Sequence, residues 1–555
     1  MTAAPEQAGL LQETPVGLGT AAPVGHGCNR PASGPDVTRM SDQELAEHLA
    51  MSTTHPLALP AMTAVALALA GAPAHAADVP VATPPIRAFC IDFNWGEGGP
   101  NGFAPPGLWA DASPAAHVAW YAGLGCNVIQ TFAVSCNGYA WYKGGVVPPQ
   151  PGLIEDFLTD TVRLGHRQGL LVMGYFCVGA NTRWGQLHPE LSYGTPSAPH
   201  IPFTTAYLDD LDGAIADALI RTGMDGFMID WVWTPGDLDG GALRWLECEQ
   251  QMYQELFAEA FPGKDQVSAE RELDFRRRAI ARCWSRIRSA ARRANPKAVV
   301  WLSCCNVNAP VLANSGLFRE VDWLMNEATD PGTLAAVAGM KGPHTRLIQC
   351  VVGWGEAHDA RRIVTDPANQ HLGLYGFAKP GPTSLPLPLA DYHDRDLASF
   401  TGNDRNIAVL ARAFTGRSLE LVVTQDDDGR ITLRPATATL HGSSPIVMEG
   451  QVGHWGNPDD SVSWLADVRQ PGRFTVQVEY ACERDLGGSS FVIAVAGQEL
   501  GMRSEETGSW RTYRTFPAGP VEVTSAGRQT VTVRPDPKTP WHAISLKSVT
   551  LVPAP

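Results

Sequence analysis

Eight short apolar runs constrain what this 555-residue chain can fold into more than any other feature. They occupy residues 88–93, 127–132, 170–176, 226–231, 298–303, 321–326, 346–352 and 372–377, and helical periodicity fills gaps such as 156–168, 208–222 and 273–294. A strand buried on both faces reads as a near-continuous apolar run, and a helical crossover makes two such strands parallel. Eight strand–helix units predict an α/β fold over residues 86–380, a TIM-type (β/α)8 barrel. A doubly wound open sheet is the alternative, although no GxGxxG follows the first run, which argues against a dinucleotide site. In the Arg-rich stretch 271–293, Leu273, Ile280, Trp284, Ile287 and Ala291 recur at helical spacing. That pattern predicts an outer amphipathic helix with a solvated Arg face rather than a nucleic-acid contact.

Beyond residue 380 the helical signal fades except at 406–414, and from 438 to 555 period-two alternation broken by Pro-Gly and Ala-Gly turns predicts an all-β sandwich. Residues 381–437 then read as a linker with a few peripheral strands near 419–433. In the sandwich, Trp455 and Trp464 flank a turn from Asn457 to Asp460, which suits a sugar platform or a calcium-supported loop. The alternation around Trp464 favours a core position for that ring. Residues 1–50 read as a disordered extension or the product of an upstream start codon. Residues 51–76 read as a signal peptide ending at the small-x-small pattern Ala74, His75, Ala76, so the chain is expected to be periplasmic or secreted. The apolar stretch is too short and Pro-interrupted to span a bilayer.

Lys and Arg total 42 against 57 Asp and Glu, a net charge of −15, which lowers the expectation of a nucleic-acid partner. The 11 Cys show no CxxC and no His/Cys cluster at zinc spacing, so neither metal nor other cofactor is expected. Export would permit disulfides, whose pairing, like the oligomeric state, the sequence leaves open.

Barrel enzymes carry their chemistry where the strands end at the C-terminal face. The strand ends here offer Asp92, Asn94 and Trp95; Gln130; Tyr175; Asp230 and Trp231; Asn306; Asn326 and Glu327; Glu356 beyond the seventh strand; and Tyr375. There is no Lys poised for a Schiff base, no GxSxG elbow and no phosphate-cradling Gly loop among them. Carboxylates, amides and aromatics suit a sugar ring: amides bind hydroxyls, aromatic faces cover C–H faces, and two carboxyls break the glycosidic bond. The 16 Trp of the chain fit such a surface, or a core. Asp230 ends a buried strand, where an ionisable group is costly unless it is used or paired. Its plainer role is a carboxylate paired inside the barrel or capping the next loop. Glu327 is expected as acid/base with Glu356 as its rival, and Asp92 as a hydroxyl ligand or a support for the nucleophile. A retaining pair needs its carboxyls ~5–5.5 Å apart. The acid must stay protonated near neutrality, which an apolar pocket near Trp323 and Trp231 favours.

The segment from Gly223 through Asp225 and Gly226 to Asp230 and Trp231 resembles the α-L-fucosidase family of glycoside hydrolases over the barrel region. That family carries a Tyr-x-x-Asp-Gly-x-x-Phe-Asp-like element at its fourth strand, whose second Asp is the retaining nucleophile. The resemblance implies this role for Asp230, and Tyr175 resembles the Tyr of the family's third strand. Where fucosidases typically carry His at the end of strand one and a His-Trp in an early loop, this chain has Asp92, Phe93, Asn94 and Trp95. The stretches from Trp455 to Trp464 and around Pro471 resemble galactose-binding-like sandwiches of secreted carbohydrate-active enzymes. Together these imply a secreted retaining exo-glycosidase acting on a terminal α-linked sugar such as an L-fucoside, with an oligo- or polysaccharide as partner. A non-catalytic carbohydrate-binding protein with a degenerate site is the alternative. A lyase or isomerase would need a metal cluster that the sequence does not display.

Overall fold

The structure, a computed structural model, describes residues 85–554 apart from 97–102, 196–197, 236–242, 305–307, 313–315, 328–330, 354–359, 443 and 449. The expected extension 1–50 and leader 51–76 lie outside the described residues, as do Asn306 and Glu356.

All eight apolar runs form strands. β1 (Arg87–Ile91), β2 (Val128–Gln130), β3 (Leu171–Cys177), β4 (Gly226–Asp230), β5 (Val299–Cys304), β6 (Trp323–Asn326), β7 (Arg346–Val352) and β8 (Gly373–Ala378) pair in parallel in that order, and β8 closes on β1. Helices follow the strands. Thr205–Thr222 is capped by the Thr204 side chain at its start and by Gly223 in the left-handed region, φ 70°, at its end. The Arg-rich helix Ala269–Ala294 buries Phe275, Ala279, Ile280, Cys283, Trp284 and Ile287. Its outer arginines pair with carboxylates: Arg282 with Glu255, Arg286 with Asp209 and Asp212, Arg288 with Glu320, and Arg292 with Asp322.

Register decides which side chains enter the barrel. Paired residues on neighbouring strands share a face, and faces alternate along each strand. Phe89 packs outward on Trp120 of the helix Pro114–Leu124, so Cys90 turns inward. From Cys90 the pairings run through Gln130, Met173, Gly226, Val299 at one level and through Tyr175, Met228, Trp301, Trp323 at the next. The ring of Trp301 meets those of Trp323 and Tyr375 at centroid distances of 5.6 and 5.2 Å. The interior is therefore a packed plug of side chains beneath the C-terminal mouth.

The stretch expected as a linker is largely structured. The helical signal at 406–414 lies in a helix, Gly402–Thr415, a second helix spans Leu389–Asp394, and Tyr392, Ile407, Ala408, Leu410 and Ala411 join the barrel's hydrophobic core. Gly402–Thr415 thus serves as the helix after β8. The sandwich begins earlier than 438, with β9 (Val422–Thr424) and β10 (Ile431–Leu433). It continues through β11 (Thr439–His441), β12 (Ile446–Met448), β13 (Gln451–Gly453), β14 (Ser461–Val468), β15 (Gly472–Ala481), β16 (Ser490–Val495), β17 (Gln498–Arg503), β18 (Arg514–Val523), β19 (Gly527–Pro535) and β20 (Ser545–Pro553). One sheet runs β12-β13-β20-β15-β18 with β10 on β20; the other runs β11-β14-β19-β16-β17 with β9 on β14. Val462, Trp464, Ala466 and Val468 alternate into a core separate from the barrel's. Barrel and sandwich are joined by polar contacts, including Arg361 donating to Thr439 Oγ1 at 2.8 Å and Arg362 to the Gly442 carbonyl at 3.3 Å.

Neither Trp455 nor Trp464 offers a face to a sugar. Both are buried; Trp455 Nε1 donates to the Asp460 carbonyl and Trp464 Nε1 to the Arg434 carbonyl. Trp510, by contrast, stands exposed on the loop before β18. Among the described residues no helix is long and apolar enough to cross a membrane. The nine described cysteines are all buried.

The pairing of β9 and β10 makes a prediction about boundaries. A sandwich expressed from Ala438 would lose Ile431 and Leu433, both fully buried, together with the strand that edges β14. It is expected to be proteolysed rapidly and to lack a cooperative melt, whereas a fragment starting at Ser418 should fold. Circular dichroism melts of the two fragments check this.

Candidate active site

Three carboxylates reach the C-terminal mouth from three strands. Asp92 follows β1, and its N–H extends the β1–β8 ladder by donating to the Ala378 carbonyl at 2.9 Å. Asp230 is the last residue of β4, paired with Cys177 of β3. Glu327 follows β6, and its N–H donates to the Cys304 carbonyl at 3.1 Å, one step beyond the Cys304–Asn326 pair. Alternation from Cys90, Met228 and Met325 places all three side chains on the interior face, above the plug.

Each carboxylate has its own donors. Asp230 Oδ2 accepts from the Tyr175 hydroxyl at 3.1 Å, and Oδ1 from the Trp231 N–H at 2.7 Å. Asp92 Oδ1 accepts from the Asn94 N–H at 2.8 Å, with the Trp95 side chain a further donor. Ser303 Oγ donates to Glu327 Oε2 at 2.9 Å. Burial, then the charge of Glu327, push Asp230 well above the usual carboxylate range, against the bonds from Trp231 and Tyr175. Burial pushes Asp92 up to about 7, the charge of Glu327 adding to the rise while Asn94, Trp95 and Lys379 oppose it. The three groups repel one another inside one mouth, and Asp92 and Asp230 hold their protons more readily than isolated carboxylates do.

An aromatic wall stands beside Asp230. Trp231 meets Phe103 at 5.8 Å, His200 at 5.9 Å and Trp233 at 5.4 Å, and Phe103 meets Trp95 at 5.2 Å. The backbone of Trp231 lies in the left-handed region at φ 58°, unusual for a bulky residue and of the kind concentrated at functional sites. Gly179 permits this turn: a Cβ there would lie 2.4 Å from the Trp231 carbonyl oxygen. Aromatic faces beside paired carboxyls suit the apolar face of a sugar ring.

The other expected site residues divide. Asn94 is buried and pins the loop after β2 through its Oδ1, which accepts from the Cys136 N–H at 2.9 Å. Gln130 and Tyr375 face inward but belong to the plug: the Tyr375 hydroxyl donates to Gln130 Oε1 at 2.8 Å, and both are buried. Asn326 is one residue from Glu327 and therefore faces the other way, toward the helices. There its Nδ2 donates to Gln349 Oε1 at 3.0 Å, and its Oδ1 has no partner. Asp92, Trp95, Tyr175, Asp230, Trp231 and Glu327 come together at the mouth. Asn306 and Glu356 are outside the described residues.

Ser303, Phe103, His200, Trp233 and Lys379 were not expected there. Counting inward positions in steps of two, from Trp301 to Ser303 and from Tyr375 through Phe377 to Lys379, would have found two of them. Among the described residues no group of His, Cys, Asp and Glu is arranged to hold a metal ion.

Tyr175→Phe removes a hydrogen bond to the charged form of Asp230, so the pKa of that carboxyl should rise further. For the glycosidase reading developed below, the acid limb of the kcat/KM profile is expected to move to higher pH. Activity near neutrality should fall about tenfold. A pH–rate profile of the variant checks both.

No family model matches the chain, and no curated protein matches it. Among solved structures it is similar to α-L-fucosidase isoenzyme 2 from Paenibacillus thiaminolyticus, at 13% identity over 82% of this chain and 100% of that one, with a TM-score of 0.43. It is similar to the α-L-fucosidase of Vibrio sp. strain EJY3 at 10% identity, over 84% of this chain and 96% of the other, with a TM-score of 0.34. Over 22% of its length it is similar to 98% of a family 35 carbohydrate binding module from Clostridium thermocellum, at 12% identity and a TM-score of 0.20. The functional reading rests on the carboxylates at the mouth and not on these likenesses.

Proposed function

We propose that the chain is an exported retaining exo-glycosidase that hydrolyses a terminal α-linked sugar, such as an L-fucoside, from a glycan. The observation that carries this is the convergence of Asp230 and Glu327 on one barrel mouth, each with its own donor and with an aromatic wall alongside. In this mechanism Asp230 attacks the anomeric carbon to form a covalent glycosyl-enzyme. Glu327 protonates the leaving oxygen and then takes a proton from the attacking water. Tyr175 and the Trp231 N–H orient the nucleophile and stabilise its negative charge. Ser303 orients Glu327. Trp231 and Trp95 cover the C–H face of the ring. The repulsion between Asp230 and Glu327 disfavours both being charged at once, so an ionised nucleophile favours a protonated acid beside it.

A panel of nitrophenyl α- and β-glycosides tests the reading, followed by trapping with the activated 2-fluoro analogue of whichever sugar is released. Label on Asp230 supports the assignment of roles; label on Glu327 reverses it. A protein that binds glycan, cleaves no glycoside and takes up no label is the non-catalytic alternative.

A further inference from the structure

Lys379 is the first residue after β8. The pairing of Ile91 with Ala378, and the bond from the Asp92 N–H to the Ala378 carbonyl, set Lys379 directly across the β1–β8 seam from Asp92. Tyr375 and Phe377 face inward, so alternation turns Lys379 to the same mouth face as the three carboxylates, where it is exposed. The groups facing Asp92 from its other neighbours are acidic or weakly ionising: Cys90 of β1, Tyr121 of the helix Pro114–Leu124, Tyr175 of β3, Asp230 of β4, Glu327 of β6 and Tyr375 of β8. A carboxylate so surrounded competes with its neighbours for protons, and a cation on one side biases the outcome.

We propose that Lys379 is a positioning residue that favours the ionised form of Asp92 and so biases the proton shared at the mouth toward Glu327, the acid of the glycosidase reading on which this inference rests. The cation attracts the negative form of Asp92. The ionised Asp92 in turn raises the cost of a second charge on Glu327. The same attraction favours a charged Asp92 beside the space where positive charge develops on the sugar ring in the transition state. The attraction of Lys379 for Asp92 accords with its opposing the rise that burial imposes on that carboxyl.

The test uses the full chain labelled with [13Cγ]aspartate, with the Asp92 resonance identified by its loss in Asp92→Asn. In Lys379→Met the titration midpoint of Asp92 is expected to rise by roughly half a pH unit or more. In Lys379→Arg it should return to the wild-type value. An unchanged midpoint in Lys379→Met overturns the proposal, and so does an equal shift in Lys379→Arg, which would mark a structural role. On the aryl glycoside that the wild type cleaves, the acid limb of kcat/KM should move upward in Lys379→Met and not in Lys379→Arg, with KM little changed. A fall confined to KM would make Lys379 a substrate ligand and overturn the proposal. If no glycoside is cleaved, the glycosidase reading fails, while the resonance of Asp92 still decides whether Lys379 governs its ionisation.

Discussion

Asp230→Asn is expected to lower kcat by about 10³-fold or more on the best aryl glycoside, with the protein still folded. The amide keeps the size of the side chain but cannot form the glycosyl-enzyme. Asp230→Gly should regain activity in azide, yielding a glycosyl azide of inverted configuration, because a small anion fits the vacated space. Asp230→Asn should also stabilise the fold. Burial and the charge of Glu327 raise the folded-state pKa of Asp230 above its unfolded value of ~3.9. Stability linked to its bound proton is therefore complete below that unfolded value and is lost as pH rises through the folded one. A neutral Asn escapes that loss, so the Tm of the variant relative to wild type should increase from pH 4 upward. Asp92→Asn should behave likewise, with the change completed as pH passes about 7. Calorimetry of wild type and variants at several pH values measures it. Full activity in Asp230→Asn would remove the mechanism; a lower Tm at every pH would show that the lost activity reflects misfolding.

Trp464→Ala is expected to destabilise the sandwich by roughly 3–5 kcal/mol, the range for removing a large aromatic from a packed core. The indole is about 2% exposed, and its Nε1 donates to the Arg434 carbonyl at 2.8 Å. The variant would leave both a cavity and an unpaired acceptor beside the turn Pro435–Thr437. A domain's whole stability is ~5–15 kcal/mol, so the sandwich should melt well before the barrel, whose core is separate. A calorimetric trace that splits into two transitions is the expected result. Binding to polysaccharide should survive at temperatures below the first transition if the sandwich binds at all, because the ring faces no solvent.

Much of the barrel is legible without coordinates. A strand buried on both faces must be apolar throughout its length, and that requirement writes itself into local sequence. Asp230 stands out for the same reason, as a carboxylate at the end of Gly226, Phe227, Met228 and Ile229. The boundaries between barrel and sandwich are less legible. The helical signal at 406–414 and the strands near 419–433 are visible, but β9 and β10 have three residues each, too few for a period to show which domain they join. Length limits the signal there.

What the sequence by itself determined is the number and order of the barrel strands, the all-β character of the C-terminal part and the candidacy of Asp230 and Glu327. These follow from burial and periodicity, which act within a few residues of chain. Only the tertiary structure decided which neighbours on a strand share a face with them. Asn326 and Glu327 are adjacent and equally polar, yet register sends one behind the barrel wall to Gln349 and the other into the mouth. Trp455 flanks a polar turn that suits a sugar platform, yet packing buries it, while Trp510 of the same sandwich stands exposed. Lys379 meets Asp92 across a chain separation of 287 residues because β8 closes on β1. Ring closure is a property of all eight strands together, and no local stretch of sequence contains it.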